Sequence, residues 1–298
     1  MLNPSFPKLV NISIGASYVA PENVANCIIS GNESFDSGNE YRLQSVYSEE
    51  IWLKLERAGL TPPMIQQLSV LEVCAGTGFL TFHLLSRCLP KSLTINDISD
   101  TEIMMAQELV HKNYSNLAID WVLGDIHTVE FDCKFDMIIG NSFIHHFHNV
   151  PQVLSRFSSL LNPGGKFISL HEPTPMSTVV EGAKILAYPV AVIAPGFVND
   201  IARTRYQGYP SATDLWMFEP EKLKRVAIQA GFSSVDIHPW HLIRPIVAQR
   251  NGLHLSANKP RLSDKETRTL RQAIKIDSCL NRILPQRFFG SFCLVCQK

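Results

Sequence analysis

Between residues 69 and 170, short uninterrupted apolar runs alternate with stretches whose apolar positions recur every third or fourth residue. The first pattern reads as strands buried on both faces, and the second as helices covering them. Strands are predicted at 69–74, 92–96, 119–123, 135–140 and 165–170, and helices at 79–88, 100–112 and 150–161. The last helix is stopped by Asn162-Pro163-Gly164-Gly165, where proline and two glycines end the turn and redirect the chain. This rhythm is that of βαβ units around a mostly parallel sheet, an α/β architecture wound on both faces. After Glu172 it breaks. A Pro-rich aromatic segment, 173–217, precedes a helix at 219–230 stopped by Gly231 and a strand at 234–238. A second departure, 240–285, carries a helix from Ser263 to about Leu284, with Ser263 and Glu266 at capping-box spacing. A final strand is predicted at 288–296, and a helix at 40–58, stopped by Gly59, precedes the first strand.

The organisation expected is therefore an N-terminal helical lid over 1–60 and one domain over 61–298, with cap inserts at about 173–217 and 240–285. A chain of 298 residues with 45% hydrophobic and 18% charged residues can bury a full core. Lys plus Arg and Asp plus Glu both total 27, so the chain as a whole exerts no general attraction on nucleic acid or an anionic membrane. From Ile243 to the end, 11 basic residues face 3 acidic ones, a tail that reads as a solvated helix face or an anion-holding surface. The longest apolar stretch, 183–198, contains Lys184 and two prolines, so it reads as a pocket wall or lid with no transmembrane segment expected. The first twenty residues lack a basic start followed by an apolar core, and the seven scattered cysteines read as reduced. A cytoplasmic protein is expected.

The candidate chemistry begins at Val70-Leu71-Glu72-Val73-Cys74-Ala75-Gly76-Thr77-Gly78, a strand running into a glycine turn and then a helix. Such a turn lets backbone approach a nucleoside-sized ligand with no Cβ in the way. A dinucleotide fold would carry a third glycine near Thr81, which is absent. Asp97 closes the second strand, where a carboxylate can accept hydrogen bonds from ribose hydroxyls. At the third strand, Leu123-Gly124-Asp125-Ile126 offers an acid for an exocyclic adenine amine and an apolar side chain for the ring face.

In this order, LEVCAGTG, NDIS, GDI, FDMIIGNSFIHHF and LLNPGGKFISLHEP resemble the core of the class I S-adenosylmethionine-dependent methyltransferases over about residues 70–170. The resemblance implies a Rossmann-like, doubly wound seven-stranded sheet whose last strand, in FFGSFCLVCQK, is antiparallel. It implies S-adenosylmethionine as cofactor, with Glu72, Cys74, Gly76 and Gly78 at the methionine end, Asp97 and Ile98 at the ribose, Asp125 and Ile126 at the adenine, and Asn141 near the methyl sulfonium. Cys74 stands where the family usually has its first glycine.

An oxygen or carbon acceptor needs a base, and His145 and His146 follow the fourth strand, where the acceptor is expected. Glu172 ends the fifth strand at the edge where open α/β sheets bind ligands. All three are candidates for catalysis, with structural roles as the alternative. Tyr206, Tyr209, Asp214 and Trp216, in the first insert, are candidates to line the acceptor site. His148, His171, His238 and His241 lack metal-ligand spacing, so no metal is expected. Extensive covering suits a small enclosed acceptor, and the Gly-Asn-Ser-Phe after the fourth strand differs from the motif of nucleobase amino-methylases. Partners expected are a small-molecule substrate and a homodimeric partner, with nucleic acid disfavoured. Three alternatives stay open: an RNA acceptor on the basic tail, a non-methylating reaction such as cyclisation, and a partner subunit without activity.

Overall fold

The computed structural model describes residues 43–114, 117–176, 217–250 and 262–298. In chain order these form α1 (Ser45–Arg57), α2 (Pro62–Ile65), β1 (Ser69–Val73), α3 (Phe79–Leu85), β2 (Ser92–Asp97), α4 (Asp100–Asn113), β3 (Asp120–Leu123) and β4 (Phe135–Gly140). A 3₁₀ turn at Ile144–His146 leads to α5 (Val150–Leu160), β5 (Leu161–Pro173), α6 (Pro220–Gln229), β6 (Ser234–Trp240), α7 (Arg244–Arg250), α8 (Asp264–Leu280) and β7 (Ser291–Gln297). Most of the first expected insert, including Tyr206, Tyr209, Asp214 and Trp216, lies outside the described residues, as do the first 42 residues.

The strands make one sheet in the order β3-β2-β1-β4-β5-β7-β6. Pairing is parallel from β3 through β5, and β7 runs antiparallel to both β5 and β6. The reversed last strand expected from sequence is thus inserted between the fifth and sixth. Strand alternation divides the apolar positions between two cores. Val70, Ile95, Met137, Ile139, Ile168 and Val295 pack with α1, α3 and α4 on one face. Leu71, Val73, Ile138, Phe167, Leu294 and Cys296 pack with α5 and α6 on the other. Residues at successive positions point to opposite faces, and helices cover both, which is why the strand sequences are apolar throughout.

Helix α1 is part of this core: Trp52 and Leu55 are fully buried, and the Trp52 indole N–H donates to the His83 carbonyl of α3. Val46 and Tyr47 of α1 also meet Ala248 of α7 and Leu270 and Ile274 of α8, forming a smaller cluster. The capping box predicted at Ser263 and Glu266 forms in both directions at the start of α8. Element ends depart from the sequence reading where a distant partner intervenes. Strand β5 runs from Leu161 because Leu161 pairs with Phe135 before the Pro-Gly-Gly irregularity, and it continues through Glu172 because Phe292 of β7 lies beside it. Strand β7 begins at Ser291, and Phe288, expected in the strand, instead closes a 3₁₀ turn at Gln286–Phe288.

Candidate functional site

The parallel strands β1, β2, β4 and β5 all end at one edge of the sheet, and the turns leaving them converge there. The first is the glycine turn. Cys74, Gly76 and Gly78 adopt positive φ of 50°, 55° and 84°. Cys74 therefore holds a left-handed conformation that glycine would adopt without strain. A Cβ on Gly78 would come within 3.0 Å of the Ala106 Cβ and 3.1 Å of its Cα, so this glycine lets the turn rest directly on α4.

Two acids hold the turn. The Glu72 carboxyl is fully buried, accepts from the Thr81 N–H at 3.2 Å and pairs with the Thr81 hydroxyl at 2.8 Å. It therefore braces the start of α3 from beneath. Asp97 accepts from the Gly76 N–H at 2.8 Å and from the Ser99 N–H at 2.9 Å, which ties the glycine turn to the end of β2. Burial raises its pKa, against the pull of those hydrogen bonds. Asn96, not singled out from sequence, donates to the carbonyls of Val122 and Gly124 and so fixes the turn after β3. In that turn Asp125 is buried and accepts from the His127 N–H, and Ile126 is buried beside it. Ile98 and Asn141 are half-buried at the ends of β2 and β4.

Burial pushes the Glu72 pKa up to about 8. In an unfolded chain the same group releases its proton near about 4.3. Between those values the folded state binds the extra proton, so this group's contribution to stability falls as pH rises through that window. Glu72→Gln is expected to flatten the fall, matching wild type near pH 5 and exceeding it near pH 8 in urea denaturation. Equal pH slopes for the two proteins would contradict the burial argument.

At the ends of β4 and β5 lies a second constellation. Glu172 is fully buried, and its carboxylate accepts from the backbone N–H groups of Phe143, Ile144 and His145, from the Ser169 hydroxyl, and from the His145 Nδ1 at 2.8 Å. Burial opposes its charge, but His145 and the hydrogen bonds outweigh burial and lower its pKa. With Nδ1 donating to a carboxylate, the His145 ring is held in the tautomer whose Nε2 carries no hydrogen. His146 stacks at a tilt beside it, with ring centroids 4.2 Å apart.

The structure adds a neighbouring cluster from distant parts of the chain. Glu50 of α1 pairs with the His241 Nε2 at 2.6 Å, the Lys54 Nζ at 2.9 Å and the Arg244 Nε at 3.3 Å. Burial works against the Glu50 charge, yet Arg244, Lys54 and His241 hold its pKa well below the usual range. His171, next to Glu172, lies with its ring centroid 4.7 Å from that of His241. Burial, aided by repulsion from His241, Lys54 and His145, holds His171 far below its usual pKa, so it is neutral near physiological pH. From sequence, His171 and His241 are set aside as metal ligands for want of ligand spacing and carry no other signal; among the described residues no three potential ligands are grouped to hold an ion.

Glu102, in the first turn of α4, was likewise missed. Ser99 and Glu102 have capping-box spacing, and the Ser99 hydroxyl accepts from the Glu102 N–H. The Glu102 carboxyl does not return the bond. It is buried, one oxygen has no hydrogen-bond partner, and the other lies 3.6 Å from where a Cβ on Gly76 would sit. Burial and the charge of Asp97 push its pKa up to about 7. An unsatisfied acid beside a glycine turn and a second acid suits a ligand rich in hydroxyl or amine donors, so the chain's own residues fit an adenosyl cofactor.

Residues 70–165 match the family model described as a methyltransferase domain. That stretch holds the glycine turn, Asp97 and Asp125, so this part of the chain is similar to a methyltransferase domain. It is 28% identical over 140 residues, 46% of its length and 53% of the relative's, to a ubiquinone/menaquinone biosynthesis C-methyltransferase of Bartonella tribocorum. It is 37% identical over 98 residues, 33% of its length and 37% of the relative's, to a malonyl-[acyl-carrier protein] O-methyltransferase of Neorickettsia risticii. The chain thus spans about half or less of the curated relatives it matches. Among solved structures, a possible histamine N-methyltransferase of Thermotoga maritima shares the fold at a TM-score of 0.54 and 10% identity, covering 91% of this chain and 99% of that one. A phosphoethanolamine N-methyltransferase of Haemonchus contortus does so at 0.53 and 17%, covering 92% and 56%.

Proposed function

We propose that the chain transfers the methyl group of S-adenosylmethionine to a small organic acceptor. When bound, the cofactor supplies an electrophilic methyl group on a cationic sulfur. The observation that carries the reading is the 2.8 Å hydrogen bond between Asp97 and the Gly76 N–H, which joins the acid and the glycine turn at the ligand edge of the sheet. In this reading Asp97 and Ile98 hold the ribose, Asp125 and Ile126 the adenine, and Cys74, Gly76 and Gly78 shape the methionine end, with Glu72 bracing the turn beneath. Asn141 borders the transfer point. Methyl transfer asks the protein mainly for alignment and exclusion of water. His145 takes the acceptor's proton on Nε2, with His146 beside it, while Glu172 is a positioning residue that fixes the tautomer. Tyr206, Tyr209, Asp214 and Trp216 are the proposed acceptor contacts. The packing of α1, α7 and α8 against one another, and relatives named as a ubiquinone/menaquinone biosynthesis C-methyltransferase and a malonyl-[acyl-carrier protein] O-methyltransferase, support an acceptor other than nucleic acid.

Calorimetric titration with S-adenosylmethionine tests this. Wild type is expected to bind in the micromolar range, and Asp97→Ala to bind at least about tenfold more weakly while remaining folded by circular dichroism. A folded wild-type protein that binds no S-adenosylmethionine would overturn the reading.

A further inference from the structure

We propose that Glu102 is a second ribose-binding acid, acting with Asp97 on the vicinal diol of the adenosyl group. The proposal deepens the reading above and rests on it for the identity of the ligand. Its own ground is geometric. Asp97 commits one oxygen to the Gly76 N–H and the other to the Ser99 N–H, so part of its accepting capacity is already in use. A diol presents two donors and two acceptors, more than the remainder of one carboxylate pairs well. Glu102 stands on the first turn of α4, buried at 4% exposure, with one oxygen unpartnered and the other beside Gly76.

A buried acid without a partner costs stability and is found where something else uses it. The alternative partner was available locally. Glu102 is three residues from Ser99, and a reciprocal capping box needs only that its carboxyl fold back to the Ser99 N–H. That N–H is already taken by Asp97, so the carboxyl of Glu102 is turned to the glycine turn. Asp97 thereby does two things: it closes the β2 end, and it releases Glu102 toward the ligand edge. Gly76 matters too: its φ of 55° is one that glycine adopts without strain, and it brings the turn to within van der Waals reach of the Glu102 carboxyl.

The test uses the full chain and S-adenosylhomocysteine, titrated beside its 2′-deoxy and 3′-deoxy analogues. Wild type is expected to bind at least one deoxy analogue about tenfold more weakly than the parent, as for a lost hydrogen bond to an acid. Glu102→Met is expected to bind the parent about as weakly as wild type binds that analogue, and to lose the discrimination against it. The same variant is expected to melt at an equal or higher temperature without ligand, because it removes an unsatisfied buried acid; a structural role would lower it. Glu102→Gln, of nearly the same shape, keeps part of the discrimination. If wild type and Asp97→Ala behave as proposed while Glu102→Met binds the parent within twofold of wild type, the second acid is refuted and the functional reading stands. If wild type binds none of these nucleosides, both fall.

Discussion

Glu172→Ala is expected to lower folding stability by at least about 3 kcal/mol, a melting temperature lower by roughly 6–12 °C for a chain of this size. Five donors converge on this one carboxylate, three of them backbone N–H groups of the segment after β4. Phe143, Ile144 and His145 are buried, so removal of the acceptor leaves their N–H groups without water to replace it. The same change frees the His145 ring to change tautomer, so methyl transfer should fall by more than the loss of folded protein explains. Glu172→Gln separates the two effects. It keeps one accepting oxygen and the shape of the side chain, so it should recover a large part of the melting temperature and little of the activity. Thermal melting read beside turnover per folded molecule checks this. An alanine variant as stable as wild type would show that the segment after β4 is held by something else.

Gly140→Ala is expected to be nearly as damaging, for a steric reason. A Cβ at this position would stand 2.5 and 2.7 Å from two ring carbons of Phe143 and 2.9 Å from the Val73 carbonyl oxygen. The Phe143 ring cannot swing away freely, because it meets the rings of Phe147, Phe157 and Phe167. Val73 lies at the end of β1, immediately before the glycine turn, so the methyl group wedges β1 and β4 apart at the mouth of the site. Overpacking of this kind costs about 1–3 kcal/mol and sometimes more. Cofactor affinity should fall with it, since the glycine turn moves with Val73. Gly140→Ala combined with Phe143→Leu should regain part of the loss by relieving the ring, with the contact to Val73 remaining. Stability of the single variant within about 0.5 kcal/mol of wild type, the usual range for innocuous surface changes, would contradict the argument.

Much of the frame was legible because it rests on local signals. Apolar runs bounded by Gly, Pro and Asn set β1 to β4 within a residue of their observed ends. Ser263 with Glu266 set the start of α8. The glycine turn and Asp97 were visible as residue types at a spacing, since a tight turn after a strand and an acid at the next strand end each follow from short stretches. Two sites were not legible in the same way. Glu102 looked like an ordinary acid in a helix's first turn, and what distinguishes it is that Asp97 already holds the Ser99 N–H. Glu50 and His241 are separated by 191 positions, and no local pattern announces their pairing.

The sequence by itself determined the alternation of strand and helix, because that depends on chain periodicity and on turns a few residues long, while the reversed closing strand was implied by the resemblance to a known family. The tertiary structure alone decided what each acid does. Glu72 faces Thr81 and braces a helix, Asp97 joins two turns, Glu172 gathers the segment after β4, and Glu102 is left unpaired at one oxygen. A carboxylate's role is set by which donors surround it and by how far water is excluded, and those neighbours arrive from strands and helices remote in sequence.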